Sequence, residues 1–255
     1  MAAFRTSAKV RPMTKSAQQL SLDRILQSQG FGTRKWCRSL IEDGEVRVNG
    51  EVVTDYRASF VPEGLILELF DEVWPYREHV YIALNKPANF ECSRKPSHHP
   101  GVLTLLSEQC AWRDVQPVGR LDHDTTGLLL MSDDGAFIHA QSSPKRHVPK
   151  VYLATTHEPV TDQLVEQLLS GVQLHDEPAP LFALVCKKVA DYQCEIVLEQ
   201  GKYHQVKRML AAAGNHCSAL QRIAVGNLTL AELGLEKGEW CYLEDHHLAL
   251  LAVGS

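Results

Sequence analysis

The apolar residues near the start of the chain recur at helical spacing. Six of them mark the buried faces of two short predicted helices: Leu22, Ile25, Leu26, Cys37, Leu40 and Ile41. Gly30 and Gly32 separate the two helices. Thr33 is a suitable N-cap for the second helix, and Gly44 is expected to end it.

An alternating pattern follows these helices and predicts a hairpin. Val46 and Val48 alternate with polar residues, and Asn49-Gly50 is the strongest short signal for a two-residue hairpin turn. Residues 63–78 contain Pro, Gly and a Trp-Pro step, so we expect a last strand and then a linker there.

The rest of the chain mixes strand and helix patterns without strict alternation. Strands are predicted at 80–87, 126–132, 150–156 and 194–201. Helices are predicted at 136–142, 161–169 and 204–213. This order favours an α+β domain around a largely antiparallel mixed sheet, behind a small front module. The expected parts are a disordered basic arm at 1–20, the front module at 21–62, the linker at 63–78 and the large domain at 79–255.

Charge is distributed unevenly along the chain. The 255 residues carry a net charge of −5, which by itself disfavours a nucleic-acid partner. Residues 1–60 hold ten Lys or Arg and six Asp or Glu, a local charge of +4, so the remainder carries −9. Such a split is expected where one end of a protein contacts phosphate, although a basic tail on an acidic protein would give the same numbers.

The first twenty residues contain four basic residues and no acidic residue. No apolar segment follows those charges, so they do not form a secretory signal. Their composition suits a mitochondrial presequence as well as a basic arm, and we interpret them as an arm.

The seven cysteines and twelve histidines form no recognisable disulfide or metal pattern. The cysteines are odd in number and scattered without a CxxC pair, which indicates reduced thiols in the cytoplasm. The histidine pairs at 98–99 and 246–247 are adjacent, so their side chains diverge, and we expect no metal site. No apolar run approaches the roughly 20 residues that span a bilayer, so we expect no membrane association.

The stretch GRLDHDTTGLLLMSDDG at 119–135 places two carboxylates in a polar turn directly before an apolar run. A strand needs only the turn. Asp122 and Asp124 beside Arg120 therefore suggest that the turn itself takes part in chemistry. A carboxylate in that position can attack as a nucleophile or accept a proton.

Residues 21–62 resemble the alpha-L RNA-binding motif, first known from a small-subunit ribosomal protein. Arg34 and Arg38 are four residues apart and share one helix face, and Lys35 lies beside them. Cations fixed on a rigid helix contact phosphates without reading bases. A merely solvated helix face is the alternative, but two helices, a basic face and a hairpin together favour RNA contact.

Four ordered motifs downstream resemble those of the RsuA-type pseudouridine synthases. They are LNKPANFECS at 84–93, PVGRLDHDTTGLLLMSDDG at 117–135, PKVYLATT at 149–156 and EQGKYHQVKRMLAAAGNHCSALQRIAVGNLTL at 199–230. With the front module, the resemblance covers about residues 21–250. The YHQVKRM segment is most similar to the branch of the family that modifies one uridine of small-subunit (16S) ribosomal RNA.

The resemblance implies an enzyme that breaks the N-glycosidic bond of a uridine, rotates the base and rejoins it to the ribose through carbon. The family uses no metal or organic cofactor. Its essential group is the aspartate of GRLD, here Asp122, and its role as nucleophile or base stays open. The implied partner is 16S ribosomal RNA, free or in a small-subunit assembly intermediate, and we expect a cytoplasmic monomer.

The resemblance also assigns roles around Asp122. Tyr152 would stack on the target uracil, and Val206 would pack under it. Lys207 would keep Asp122 ionised by direct attraction and orient it. Arg120 would contact a phosphate or fill the space vacated by the flipped nucleotide.

Four further positions are assigned from turn geometry or charge. Asp124 is expected to hydrogen-bond backbone amides in its turn. Asn89 stands where relatives generally have glycine, which implies a positive φ that asparagine tolerates. Arg208 and Arg222 are expected to contact phosphates.

The alternatives are a non-catalytic RNA-binding or ribosome-assembly factor and a family member acting on large-subunit ribosomal RNA. The intact aspartate, tyrosine and lysine disfavour the first, because a binding module does not need all three. A glycoside hydrolase would need two carboxylates across a gap, and Asp122 and Asp124 in one turn fit that requirement poorly.

Overall fold

The computed structural model describes residues 18–251, which divide into two compact units after Glu78. The arm expected at 1–20 therefore lies almost entirely outside the described residues. No helix within 18–251 is long and apolar enough to cross a membrane.

The described part of the front unit consists of two helices and six short strands. They are β1 (Leu20–Ser21), α1 (Leu22–Ser28), α2 (Arg34–Glu42), β2 (Arg47–Val48), β3 (Glu51–Val52), β4 (Ser59–Phe60), β5 (Ile66–Leu69) and β6 (Glu72–Pro75). The Thr33 hydroxyl accepts the Trp36 N–H and caps α2, as predicted. Asn49 and Gly50 have φ angles of 51° and 87°, the left-handed pair that a tight turn between β2 and β3 needs.

The segment at 63–78, expected to end in a linker, is part of the front unit's sheet. β5 pairs with β2, and β6 pairs with β5, which gives the strand order β3-β2-β5-β6. Leu65, Leu67 and Leu69 alternate into the front core beside the predicted helix residues. The linker prediction is wrong because Pro62 and Gly64 mark only the approach to β5, not an extended connection.

The described part of the second unit contains six α-helices and nine strands. They are β7 (Tyr81–Lys86), α3 (Glu108–Trp112), β8 (Gln116–Pro117), β9 (Thr126–Ser132), α4 (Gly135–Ser142), β10 (Lys150–Thr156), α5 (Asp162–Ser170), β11 (Val185–Ala190), β12 (Gln193–Leu198), α6 (Gln205–Ala212), β13 (Cys217–Val225), β14 (Leu228–Thr229), α7 (Leu230–Leu233), β15 (Trp240–Tyr242) and α8 (Asp245–Leu251). Each of the seven elements predicted in this part is present, with ends that differ by at most three residues.

The nine strands of this part form one mixed sheet. Seven of them run in the order β11-β12-β10-β13-β9-β7-β15, while β8 pairs with β9 and β14 with β13. Every pairing is antiparallel except that of β9 with β13. The α+β class and the largely antiparallel mixed sheet are confirmed.

The centre of this sheet fixes the end of the GRLD turn. Leu128–Met131 are buried on both faces of β9, which explains the continuous apolar run, and each such leucine contributes about 1.5–3 kcal/mol. Gly127 pairs with Arg222 across the parallel step at a φ of 99°. A Cβ at Gly127 would lie 2.2 Å from the Arg222 carbonyl oxygen, so only glycine fits there.

Candidate active site

A buried lysine at the end of β7 stabilises the turn at 119–125. Lys86 is 0% exposed, and its Nζ donates to three backbone carbonyl oxygens. These belong to Pro87, His123 and Thr125, at 3.0, 3.0 and 2.8 Å. Burial lowers the pKa of Lys86 below its ordinary value. The three hydrogen bonds satisfy the ammonium group and fix the turn's backbone.

Asn89 supports the same turn through its backbone. Its φ is 66°, so the positive φ expected from the sequence is confirmed. In this conformation its N–H donates to the His123 carbonyl oxygen at 2.7 Å. On the other side of Asp122, the Leu121 N–H donates to Cys92 Sγ at 3.4 Å. Backbone hydrogen bonds therefore hold the turn on both sides of Asp122.

The carboxylate of Asp122 contacts a different basic side chain with each oxygen. Oδ2 accepts a hydrogen bond from Lys207 Nζ at 3.1 Å. Oδ1 lies 3.1 Å from His204 Nε2. The Asp122 side chain is still 26% exposed, so a substrate atom can reach it.

Lys207 also binds Asp124, at 2.7 Å from Oδ1. Burial lowers the pKa of Lys207, but the hydrogen bonds to Asp124 and Asp122 outweigh it and raise the pKa above its ordinary value. Burial likewise raises the pKa of Asp124, and the Lys207 hydrogen bond brings it below its ordinary value. A hydrogen bond from the Asp124 backbone N–H acts in the same direction, so the expected contact with a turn amide is present beside this ion pair, which a turn-based prediction could not foresee.

His204 is the site residue that the sequence predictions did not assign. It stands immediately before α6 in a left-handed conformation, with φ 47° and ψ 35°. A non-glycine residue in that region is uncommon. His204 and Lys207 are three residues apart, so helical spacing could have indicated that both reach the same group.

A small cavity of about 70 Å³ brings together four of the predicted residues. It is lined by Tyr152, Val206, Arg120 and Asp122 among others. Tyr152 projects from β10 and is 9% exposed, while Val206 lies in the first turn of α6 and is buried. Arg120 is exposed at the edge. The geometry thus assembles the carboxylate, an aromatic ring, an aliphatic side chain and a cation around one space.

This arrangement suits catalysis by a carboxylate on a planar, uncharged base. Asp122 is fixed by its neighbours, so it can attack a carbon or remove a proton with little reorganisation. The ring of Tyr152 and the Val206 side chain offer an apolar surface for an uncharged base. Lys207 retains its positive charge at neutral pH because its pKa is raised.

Comparisons with known proteins identify both units. Residues 80–212 match the family described as RNA pseudouridylate synthase, and residues 20–58 match the S4 domain. A protein of Escherichia coli strain K12 named ribosomal small subunit pseudouridine synthase A is 37% identical over 230 residues, covering 90% of this chain and 99% of that protein. The chain belongs to the RNA pseudouridine synthase family.

Other members of this family match this chain over a similar length. The ribosomal small subunit pseudouridine synthase A of Vibrio parahaemolyticus is 37% identical, covering 88% of this chain and 96% of that protein. A Bacillus subtilis protein named uncharacterized RNA pseudouridine synthase YtzG is 31% identical, covering 91% and 98%. A crystal structure of a pseudouridylate synthase matches with a TM-score of 0.64 and 32% identity, covering 91% of this chain and all of the other.

The basic face of the S4 domain is partly occupied within the domain itself. Arg34 Nε and Arg38 Nε both donate to Oδ2 of Asp23 at 2.7 Å. Arg38 also lies 4.7 Å from the centre of the Tyr56 ring. Lys35 is exposed on the same helix. The two arginines therefore stabilise the domain as well as presenting charge at its surface.

The structure separates the two arginines expected to contact phosphates. Arg208 is partly exposed, donates to the Tyr203 carbonyl oxygen and forms an ion pair with Asp176. Arg222 is 4% exposed, and its Nε donates to the Leu128 carbonyl oxygen at 2.7 Å. The assignment of Arg222 as a phosphate contact is wrong, because its guanidinium joins β13 to β9 inside the sheet.

Proposed function

We propose that this protein isomerises one uridine of small-subunit (16S) ribosomal RNA to pseudouridine, with Asp122 as the catalytic carboxylate. The observation that carries the catalytic assignment is the position of Asp122. Its two oxygens face Lys207 and His204, and its exposed edge faces the cavity beside Tyr152. The choice of small-subunit RNA rests on the names of the Escherichia coli and Vibrio relatives.

Each neighbour of Asp122 has a part in this proposal. Tyr152 stacks on the target uracil, and Val206 packs against its other side. Lys207 orients Asp122 and balances its charge, since it binds both Asp122 and Asp124. Arg120 is exposed at the rim and contacts a phosphate next to the target.

The front unit contributes affinity for RNA rather than chemistry. Lys35 supplies a positive charge at the surface that is paired with no acidic side chain among residues 18–251, and Arg34 and Arg38 extend the charged face. Contacts of this kind hold phosphates without selecting bases. We further propose that the enzyme works as a monomer in the cytoplasm.

Mapping of pseudouridines in ribosomal RNA, from cells with and without the gene, tests the reaction and the substrate together. The proposal expects one pseudouridine to disappear from the small-subunit RNA and to return when the gene is restored. Loss of a large-subunit pseudouridine instead would mean that the enzyme acts on large-subunit ribosomal RNA. An unchanged map would favour the non-catalytic RNA-binding alternative.

A matching assay with purified protein separates free RNA from an assembly intermediate. Moving the glycosidic bond to C5 expels the hydrogen at that carbon, so tritium at C5 of uridine is released into water. Release from a free 16S transcript is compared with release from the same RNA bound to small-subunit proteins. Release from neither substrate would contradict the proposed activity.

A further inference from the structure

A larger cleft adjoins the cavity that holds Tyr152. It has a volume of about 740 Å³, within the range of about 300–1,000 Å³ typical of small-molecule sites. Arg120, Asp122 and His204 line both the cleft and the cavity. The cleft extends from the catalytic carboxylate towards residues 91–99, which the proposed roles at the target uridine do not use.

Two stacked pairs of rings line this cleft. The rings of Tyr203 and His204 are stacked with centroids 3.9 Å apart and an interplanar angle of 17°. Those of His99 and His123 are 4.6 Å apart at 9°. Tyr203 is 71% exposed, whereas tyrosines are generally intermediate in burial. Flat, exposed rings beside a cation are the features with which proteins bind unpaired bases.

The loop at 91–99 that lines the cleft is held by hydrogen bonds within the protein. The carboxylate of Glu91 accepts the backbone N–H groups of Ser97, His98 and His99, at 3.1, 2.9 and 2.9 Å. These bonds fix the loop that presents the His99 ring. They also satisfy the Glu91 carboxylate within the loop, so Glu91 serves to hold the loop rather than to bind a ligand.

His204 connects this cleft to the chemistry. One face of its ring stacks on Tyr203, and its Nε2 lies 3.1 Å from Asp122. A base stacked on Tyr203 would therefore support the side chain that contacts the catalytic carboxylate. His204 would therefore couple the binding of a base at Tyr203 to the position of the Asp122 side chain.

We propose that this cleft binds the nucleotide adjacent to the target uridine, with its base unstacked from the RNA and stacked on Tyr203. Arg120 holds the phosphate between the two nucleotides. This inference rests on the proposed function, because it requires a target uridine at Asp122. It adds a second base-binding subsite and makes the enzyme sensitive to the neighbour of its target.

A double-mutant cycle between protein and RNA tests the subsite. The RNA is a fragment around the uridine that the wild-type enzyme modifies, either intact or with an abasic ribose immediately 5′ or 3′ of the target. Kd is measured for Tyr203 and Tyr203→Ala proteins, all in the Asp122→Asn background so that no RNA is consumed. Stacking of one base on an aromatic ring predicts that Tyr203→Ala weakens binding of intact RNA by about tenfold.

The decisive result is the loss of that effect with one abasic RNA. Tyr203→Ala should weaken binding by less than about twofold when the base that stacks on it is missing, and Tyr203→Phe should bind intact RNA like the parent. Tyr192→Ala, which removes a half-exposed tyrosine that does not line the cleft, should bind all three RNAs like the parent.

Equal weakening of the intact and both abasic RNAs by Tyr203→Ala would overturn the subsite, as would no weakening of intact RNA. Tritium release by the wild-type enzyme from the same fragment keeps the two proposals apart. Tritium release by the wild type, together with an equal effect of Tyr203→Ala on intact and abasic RNAs, would contradict only the subsite. Absence of release would remove the proposed function itself.

Discussion

Asp23 and Asp122 are both carboxylates held by two basic side chains, yet they do different work. Asp23, in the S4 domain, accepts hydrogen bonds from Arg34 and Arg38 at 2.7 Å and from the Ser21 hydroxyl at 2.6 Å. Its side chain is 1% exposed. Asp122 has Lys207 and His204 at 3.1 Å and is 26% exposed. Each carboxylate therefore has two basic partners, while access from solvent differs.

The difference shows that pairing alone does not mark a reactive carboxylate. Asp23 itself is buried, and its two oxygens are occupied by short hydrogen bonds, so it joins α1 to α2. Asp122 keeps an open side towards a cleft and a cavity. A reacting group must be positioned and still be reachable, and only Asp122 meets both conditions.

The same substitution at the two positions gives the largest expected contrast in stability. Asp23→Asn should lower the free energy of unfolding of the front unit by about 3 kcal/mol, because it breaks a buried ion pair. The value is at the low end of that range because Arg34 and Arg38 stay about two-fifths exposed. Calorimetry of the full chain measures it. An unchanged transition for Asp23→Asn would remove the structural role given to Asp23.

The pH dependence of the same variant sharpens this prediction. The hydrogen bonds of Arg34, Ser21 and Arg38 outweigh burial and hold the pKa of Asp23 well below its usual range. Its stabilising effect should therefore be complete above about pH 4 and should diminish as pH falls towards the lowered pKa. The difference in melting temperature between wild type and Asp23→Asn should shrink as pH falls below 4. A constant difference from pH 7 to pH 2 would contradict the lowered pKa.

Position 89 tests how firmly the turn around Asp122 depends on its backbone support. Asn89→Gly should be tolerated, because glycine adopts the observed φ of 66° without strain. Asn89→Val should lower the free energy of unfolding of the second unit by about 1–3 kcal/mol. It should also reduce turnover by displacing the N–H that binds His123. Equal melting temperatures for the two variants would mean that φ is not positive at this position in solution.

Much of this fold follows from sequence pattern, since the predicted helices and strands of the second unit are all present. The strands β8, β11, β13, β14 and β15 were not predicted: β11, for example, has exposed polar and apolar residues mixed, so it lacks a clean period of two. The pairing of β13 with β9 and of β15 with β7 depends on contacts far apart in the chain, such as Gly127 with Arg222, which local pattern cannot contain.

The site divides in the same way. Asp122, Tyr152, Val206 and Lys207 were predicted through the family resemblance. The structure brings the first three around one cavity and places Lys207 against Asp122. The role of Arg222 was wrong because its partner Leu128 lies 94 residues away in the chain. The ion pair of Asp124 with Lys207, 83 residues away, was missed for the same reason. The contact of His204 with Asp122 was missed for the same physical reason.

Substitution of Asp124 tests whether only one of the two acidic residues in the turn, Asp122, is needed for turnover. Asp124→Asn keeps an oxygen that can accept from Lys207, so turnover should fall by less than about tenfold, which is about 1.4 kcal/mol. The melting temperature should change little, because Asp124 is about half exposed. Tritium release and calorimetry on the same preparation measure both. A loss of turnover as large as that of Asp122→Asn would erase the distinction between the two residues.

Lys35 gives the smallest and most specific effect. Neutralising Arg34 or Arg38 would also leave Asp23 with fewer partners, so those variants mix RNA affinity with stability. Lys35→Gln avoids this, because the Lys35 side chain forms no hydrogen bond or ion pair with residues 18–251 that the structure records. If Lys35 contacts a phosphate, the log–log dependence of RNA affinity on salt should flatten by about 0.7–0.9, and Lys35→Arg should restore it. An unchanged slope would leave Lys35 on a merely solvated face.

The most direct test of Asp122 is turnover by Asp122→Asn under conditions where the protein is shown to be folded. The amide keeps the shape of the side chain but cannot act as the anion that attacks or abstracts a proton. Tritium release from C5-labelled RNA should fall by about a thousandfold or more, while melting temperature and RNA affinity stay close to those of the wild type. Release within tenfold of wild type by the folded variant would contradict the catalytic role of Asp122.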